Sequence, residues 1–76
     1  LARLRPADAL IQYNLACSYS LTCQFEAAVR ALERALTLGY RDFEWLARDP
    51  DLDRLRRHPL YQKVRAKVRS LQVRVE

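Results

Sequence analysis

The chain has 76 residues, half of them apolar and 30% charged, with one Gly, three Pro and a net charge of +5. That is room for one small domain burying roughly 60% of its unfolded surface, and the composition is that of a folded helical protein, which excludes a disordered or collagen-like chain. No apolar run approaches the roughly 20 residues needed to cross a bilayer, and Leu1–Pro6 lacks the apolar centre of a secretion signal.

Two helical periods occupy Asp8 to Gly39. Leu10, Tyr13, Leu15, Ala16, Tyr19 and Leu21 recur at three and four, and Phe25, Ala28, Val29, Leu32, Ala35, Leu36 and Leu38 repeat the spacing, which predicts two amphipathic helices. Small residues stand where the helices must touch: Ala16 in the first, and Ala27, Ala28, Ala31 and Ala35 in the second. They let the axes approach to about 8–10 Å, as an antiparallel hairpin requires. Asp8 is placed to cap the first helix and Thr22 the second, each offering an oxygen to unpaired first-turn amides. Gly39 supplies the left-handed residue that ends the second helix.

Beyond Gly39 the elements shorten. Tyr40–Asp49 holds one or two helical turns starting near Asp42, with Phe43 and Leu46 three apart. Asp49-Pro50 and His58-Pro59 each offer Pro as the first residue of a helix, where a missing amide costs nothing. Short helices are therefore predicted at about Pro50–Arg57 and Pro59–Gln72. Leu52 and Leu55 face inward in the first, and Leu60, Val64, Val68, Leu71 and Val75 form an apolar stripe in the second with Tyr61 on its edge.

The hairpin resembles a tetratricopeptide repeat, whose pattern is Trp-x2-Leu-Gly-x2-Tyr, then Ala-x3-Phe, then a later Ala and Pro, over about 34 residues. The corresponding residues are Gln12, Leu15, Ala16 and Tyr19, then Ala28 and Leu32, then Ala35, with Asn14 and Phe25 also similar to the family. Gln12 replaces the Trp, Cys23 the usual turn Gly, and Tyr40 the closing Pro. Pro6 falls where the closing Pro of a preceding repeat would stand, which implies that residues 1–6 end an earlier repeat and that the chain is a piece of a longer protein. Gly39, Tyr40, Asp42, Leu46, Asp49, Pro50, Asp51, Leu52, Leu55, Arg56, Pro59 and Tyr61 resemble the tail that closes bacterial arrays of such repeats. The resemblance implies an all-α, one-domain fragment of an α-α superhelix: a repeat hairpin at 7–40 and capping helices at 41–76. A cap is needed because the last repeat of a solenoid has an apolar face with no neighbour.

Function follows from the same reading. The resemblance implies a protein-protein interaction scaffold with no catalysis and no cofactor, whose groove positions are Leu10, Tyr13, Asn14, Cys17, Ser20 and Leu21. Its partners would be a protein or peptide ligand, or upstream repeats of the same chain; weak self-association through an open N-terminal face is a further expectation. The family members that clamp a C-terminal carboxylate use Lys, Asn and Arg in the groove, and here only Asn14 fits. The residues themselves agree with an absence of catalysis. The single His58 is read as a helix-boundary residue, and there is no relay-spaced nucleophile and no Gly-rich phosphate loop. Cys17 and Cys23 match neither a metal site nor a disulfide framework. Asp49, Asp51 and Asp53 lack the Gly and Glu of a calcium loop.

Residues 51–76 carry eight Lys or Arg against three carboxylates, which accounts for the whole net charge. Lys63, Arg65, Lys67 and Arg69 form a candidate basic patch, and the alternative function is a basic helical domain that binds nucleic acid through this helix. Against nucleic acid, the patch surrounds a stripe that should be buried, and no recognised binding motif accompanies it. Two unpaired thiols point to a reducing, cytoplasmic setting, and twelve Arg to two Lys point to a GC-rich bacterial genome.

Overall fold

A computed structural model describes residues 6–72. All regular structure among them is helical: α1 (Pro6–Leu21), α2 (Phe25–Thr37), α3 (Phe43–Arg48), a 3-10 turn (Pro50–Leu52), α4 (Asp53–Arg56) and α5 (Tyr61–Gln72). The chain is all-α, as the periodicity predicts. Residues 1–5, read as the end of an earlier repeat, lie outside the described residues, as do Arg74 and Val75.

Helices α1 and α2 form the hairpin. Ala16, Ala28, Ala31 and Ala35 are fully buried in it, with Leu32 and Leu36 beside them, so the small-residue seam does bring the two helices together. Ala27 lies only partly inside. Gln12, at the family's Trp position, accepts a hydrogen bond from Arg34 Nε at 3.0 Å and ties the helices at their rim.

Both hairpin helices end in the same way. Cys23 N–H donates to Ser20 O and Gln24 N–H to Tyr19 O; Gly39 N–H donates to Leu36 O and Tyr40 N–H to Ala35 O. Each pair is a Schellman motif, which needs a left-handed residue after the cap. Gly39 fills that position at φ 117° and Cys23 at φ 61°. The Arg41 guanidinium adds bonds to Leu36 O at 2.8 Å and Tyr40 O at 2.9 Å.

The two predicted N-caps are corrected. The described part of α1 already begins at Pro6, which puts Asp8 inside the first turn. Gln24 precedes α2 without a side-chain capping bond, its Nε2 donating to Thr22 Oγ1 at 2.9 Å, while Thr22 turns its hydroxyl back to Ser18 O and Tyr19 O. Thr22 therefore closes α1 and does not open α2, because the left-handed Cys23 comes between.

The tail follows its Asp residues and Pro50, with two corrections: the helix expected over Pro50–Arg57 is a 3-10 turn followed by α4, and Pro59 lies in the turn before α5 and does not open it. Asp42 caps α3 through Trp45 N–H, and Asp49 caps the 3-10 turn through Asp51 N–H, with Pro50 at its start. His58 is a boundary residue: its Nδ1 accepts from Leu60 N–H at 3.1 Å, and its ring lies 4.7 Å from Phe25. Helix α5 starts at Tyr61, two residues after Pro59. Tyr61 is a core residue and not an edge residue, Val64 is fully buried, and Leu71 is exposed. The apolar stripe of α5 is thus covered at its start and open at its end. Leu52 and Leu55 are fully buried; the 3-10 turn and α4 rest on α1, and α5 rests on α2.

Candidate functional site: the two sides of the first helix

No residue from Ala9 to Phe25 is charged, in a chain that is 30% charged. Beyond Asp8 in its first turn, uncharged side chains therefore surround α1 on all sides, yet only one side is covered. Ala9, Tyr13, Ala16, Cys17 and Ser20 are buried, while Leu10 (53% exposed), Ile11 (59%), Leu15 (37%) and Leu21 (59%) face outward. The simple amphipathic reading of α1 is thus corrected: this helix is apolar on two faces.

The covered side holds a polar hub. Asp49 is 4% exposed, and its Oδ2 accepts a short bond from the Tyr13 hydroxyl and a contact of 3.6 Å from the Cys17 thiol. Its Oδ1 accepts from Asp51 N–H at 2.9 Å. Arg56 reaches across the backbone, donating to Asp49 O at 2.7 Å and Leu46 O at 2.9 Å. The ring of Tyr13 stacks on Tyr40 with centroids 4.6 Å apart. Burial, followed by the carboxylate of Asp49, pushes the Cys17 thiol up to about 12 and raises Tyr13 far above its ordinary value. Burial also lifts Tyr40 to about 12.

Cys17, Asp49 and Asp51 bring three potential ligand atoms within 4.8 Å of one another. Both Asp49 oxygens are engaged by donors, and a thiol held protonated is a poor metal ligand, since binding requires the thiolate. The arrangement joins tail to hairpin.

The six groove positions consequently separate. Leu10, Asn14 and Leu21 are exposed, whereas Tyr13, Cys17 and Ser20 lie under the tail, so they do not form one open strip. The separation has a cause: the 3-10 turn packs against α1 over the positions that a groove would need. Ser20 is fully buried, and its Oγ finds no partner among the described residues. Ile11 and Leu15 join Leu10 on the open side, and the long uncharged run is the sequence signal for them.

The four basic residues also separate. At 100° per residue, Lys63 and Lys67 share one side of α5 and Arg65 and Arg69 the other. Arg65 sits over the Tyr61 ring at 5.1 Å and donates to Arg56 O at 3.3 Å. Between α3 and α5 lies a groove of about 420 Å³ lined by Phe43, Leu46, Ala47, Tyr61, Val68 and Gln72, with Arg56, Arg65 and Arg69 at its rim. No helix among the described residues is long and apolar enough to cross a membrane.

No protein-family model matches the chain, and no solved structure matches it. Among curated proteins, a chloroplastic protein of Arabidopsis thaliana is 47% identical over 53 residues, a stretch that is 68% of this chain and 16% of that protein. The chain thus spans about a sixth of the length of this relative.

Proposed function

We propose that the chain is a protein-protein interaction module, the capped C-terminal unit of a tetratricopeptide array, without catalysis of its own. One observation carries this reading: α1 is closed by the tail on one side and exposes Leu10, Ile11, Leu15 and Leu21 on the other, in a run from Ala9 to Phe25 that holds no charged residue. An uncharged helix face of this kind is one that further helices or a partner's helix cover. The tail supports the same reading, since its outward residues are largely charged while its inner ones complete the hairpin core. A bacterial origin and a cytoplasmic, reducing setting belong to this proposal; the plant relative, chloroplastic by name, extends the setting to a second compartment.

The test is the state of the isolated chain and of an Ile11→Glu/Leu15→Glu variant, compared by sedimentation from micromolar to millimolar concentration and by binding of an apolar dye. The proposal predicts self-association and dye binding that the variant loses while its helical circular dichroism is unchanged. A wild-type chain that stays monomeric and takes up no dye would overturn it.

A further inference from the structure

We infer that the groove between α3 and α5 is a second docking site, one for an acidic peptide segment whose carboxylates stand two residues apart. It is independent of the open face of α1. Three observations point to it.

First, α5 contains four Lys or Arg and no Asp or Glu between Tyr61 and Gln72. Lys63 with Lys67, and Arg65 with Arg69, are like-charged pairs at i,i+4, an arrangement that weakens a helix where opposite charges would strengthen it. Elsewhere the chain uses the favourable arrangement: Glu26 with Arg30 on α2 and Glu44 with Arg48 on α3. Neither Arg65 nor Arg69 has a carboxylate partner among the described residues, so α5 keeps a repulsion that carboxylates from outside would relieve.

Second, the groove combines this charge with a recessed apolar floor. Phe43, Leu46 and Val68 line it, Leu46 buried and the other two half-buried, and no Asp or Glu lines the groove. Arg56 is part-buried and held by two short bonds to the carbonyls of Leu46 and Asp49, whereas Arg65 is exposed and makes one longer bond, to Arg56 O at 3.3 Å. Arg65 and Arg69 are therefore the guanidiniums that meet a ligand. Their positions are about 6 Å apart along the axis, from the rise of 1.5 Å per residue. That spacing matches carboxylates two residues apart in an extended peptide, at about 3.3 Å per residue, which the alternation of side chains places on one face of the peptide, toward Arg65 and Arg69.

Third, the geometry disfavours other polyanions. Base stacking needs an exposed aromatic face, and Tyr61 is 5% exposed with Arg65 over its ring. Membrane insertion needs protruding apolar side chains, whereas Leu46 is buried and Phe43 and Val68 are half-buried.

The experiment is an NMR titration of the full chain, labelled on its amides, with the blocked pentapeptide Glu-Leu-Glu-Phe-Glu. Shift changes are expected at Phe43, Leu46, Arg65, Val68 and Arg69, with little change on α1. Replacing the three Glu by Gln in the peptide, or Arg65→Gln/Arg69→Gln in the protein, is expected to weaken binding about tenfold, the sum of two exposed ion pairs. Lys63→Gln, on the other side of α5, is expected to leave it within about twofold. Retained helical circular dichroism separates lost binding from lost structure. Absence of shifts at the groove, equal binding of the Gln peptide, or stronger groove shifts with a short DNA duplex or with phosphatidylglycerol vesicles would overturn the inference. Failure here leaves the role of the α1 face intact, because that role is read out by self-association and dye binding.

Discussion

The hairpin and the tail are stabilised in different ways. Helices α1 and α2 are 16 and 13 residues long, joined along a seam of alanines, and each ends in its own Schellman motif. The tail is built from helices of six and four residues and a 3-10 turn before α5, none long enough to persist alone. What holds it to the hairpin are contacts distant in sequence, Asp49 with Tyr13 and Cys17, and Leu52 and Leu55 buried against the hairpin, while Arg56 ties the tail to itself through the carbonyls of residues 46 and 49. Local pattern therefore specifies the hairpin, whereas the tail exists only where the hairpin supplies its other half. In return it removes one side of α1 from water, from which a single folding unit is expected.

The comparison can be broken hardest with alkali. The Cys17 thiol ordinarily ionises near 9.0 and the Tyr40 hydroxyl near 10.0, and both stand at about 12 in the fold. Because the folded values are raised, the unfolded chain gives up these protons first. The stability they contribute is whole below about pH 9 and is lost as pH rises toward 12. Tyr13 and Tyr61 are shifted in the same direction. Unfolding followed by circular dichroism is expected to show a cooperative loss of both regions in this window.

Removing side chains from the seam comes next. Leu55→Ala is expected to cost about 3 kcal/mol in urea unfolding, within the range for fully buried leucines. Asp49→Ala, which strands the Tyr13 hydroxyl and uncaps the 3-10 turn, is expected to cost about 2 kcal/mol. Both should lower the stability of the hairpin as much as that of the tail.

The smallest effects sharpen a comparison inside the hairpin, between its two helix ends. Gly39→Ala is expected to cost about 1 kcal/mol, because a side chain is forced into the left-handed region. Cys23→Gly is expected to gain about 0.5–1 kcal/mol, since Cys23 already occupies that region with a side chain. Opposite signs at equivalent positions, read from urea midpoints, would show that the two ends are governed by the same backbone requirement.

The hairpin is legible in the sequence because its signals are local: a spacing of three and four, a run of alanines, and one Gly after the last apolar residue. The short tail helices are legible for the same reason, through Asp-Pro and His-Pro. Asp49, by contrast, reads only as a boundary residue. Its role as a hub depends on Tyr13, 36 positions away, and no local pattern encodes that distance. The groove positions fail on similar grounds, since whether Tyr13, Cys17 and Ser20 are open depends on where the tail lands. Tyr61 falls at an edge on a helical wheel because one helix's stripe does not reveal what its neighbours cover. The split of the basic residues between two sides of α5 can be drawn from helical geometry, but the groove beside Arg65 and Arg69 needs the placement of α3.

The most direct test of one folding unit is native-state hydrogen exchange of the full chain, with and without Leu55→Ala. A single unit predicts that amides at Leu32 and Leu36 in the hairpin and at Leu55 and Val64 in the tail open with the same free energy, and that the substitution lowers all four together. Tail amides that exchange much faster than those of the hairpin, or a hairpin unmoved by Leu55→Ala, would contradict it.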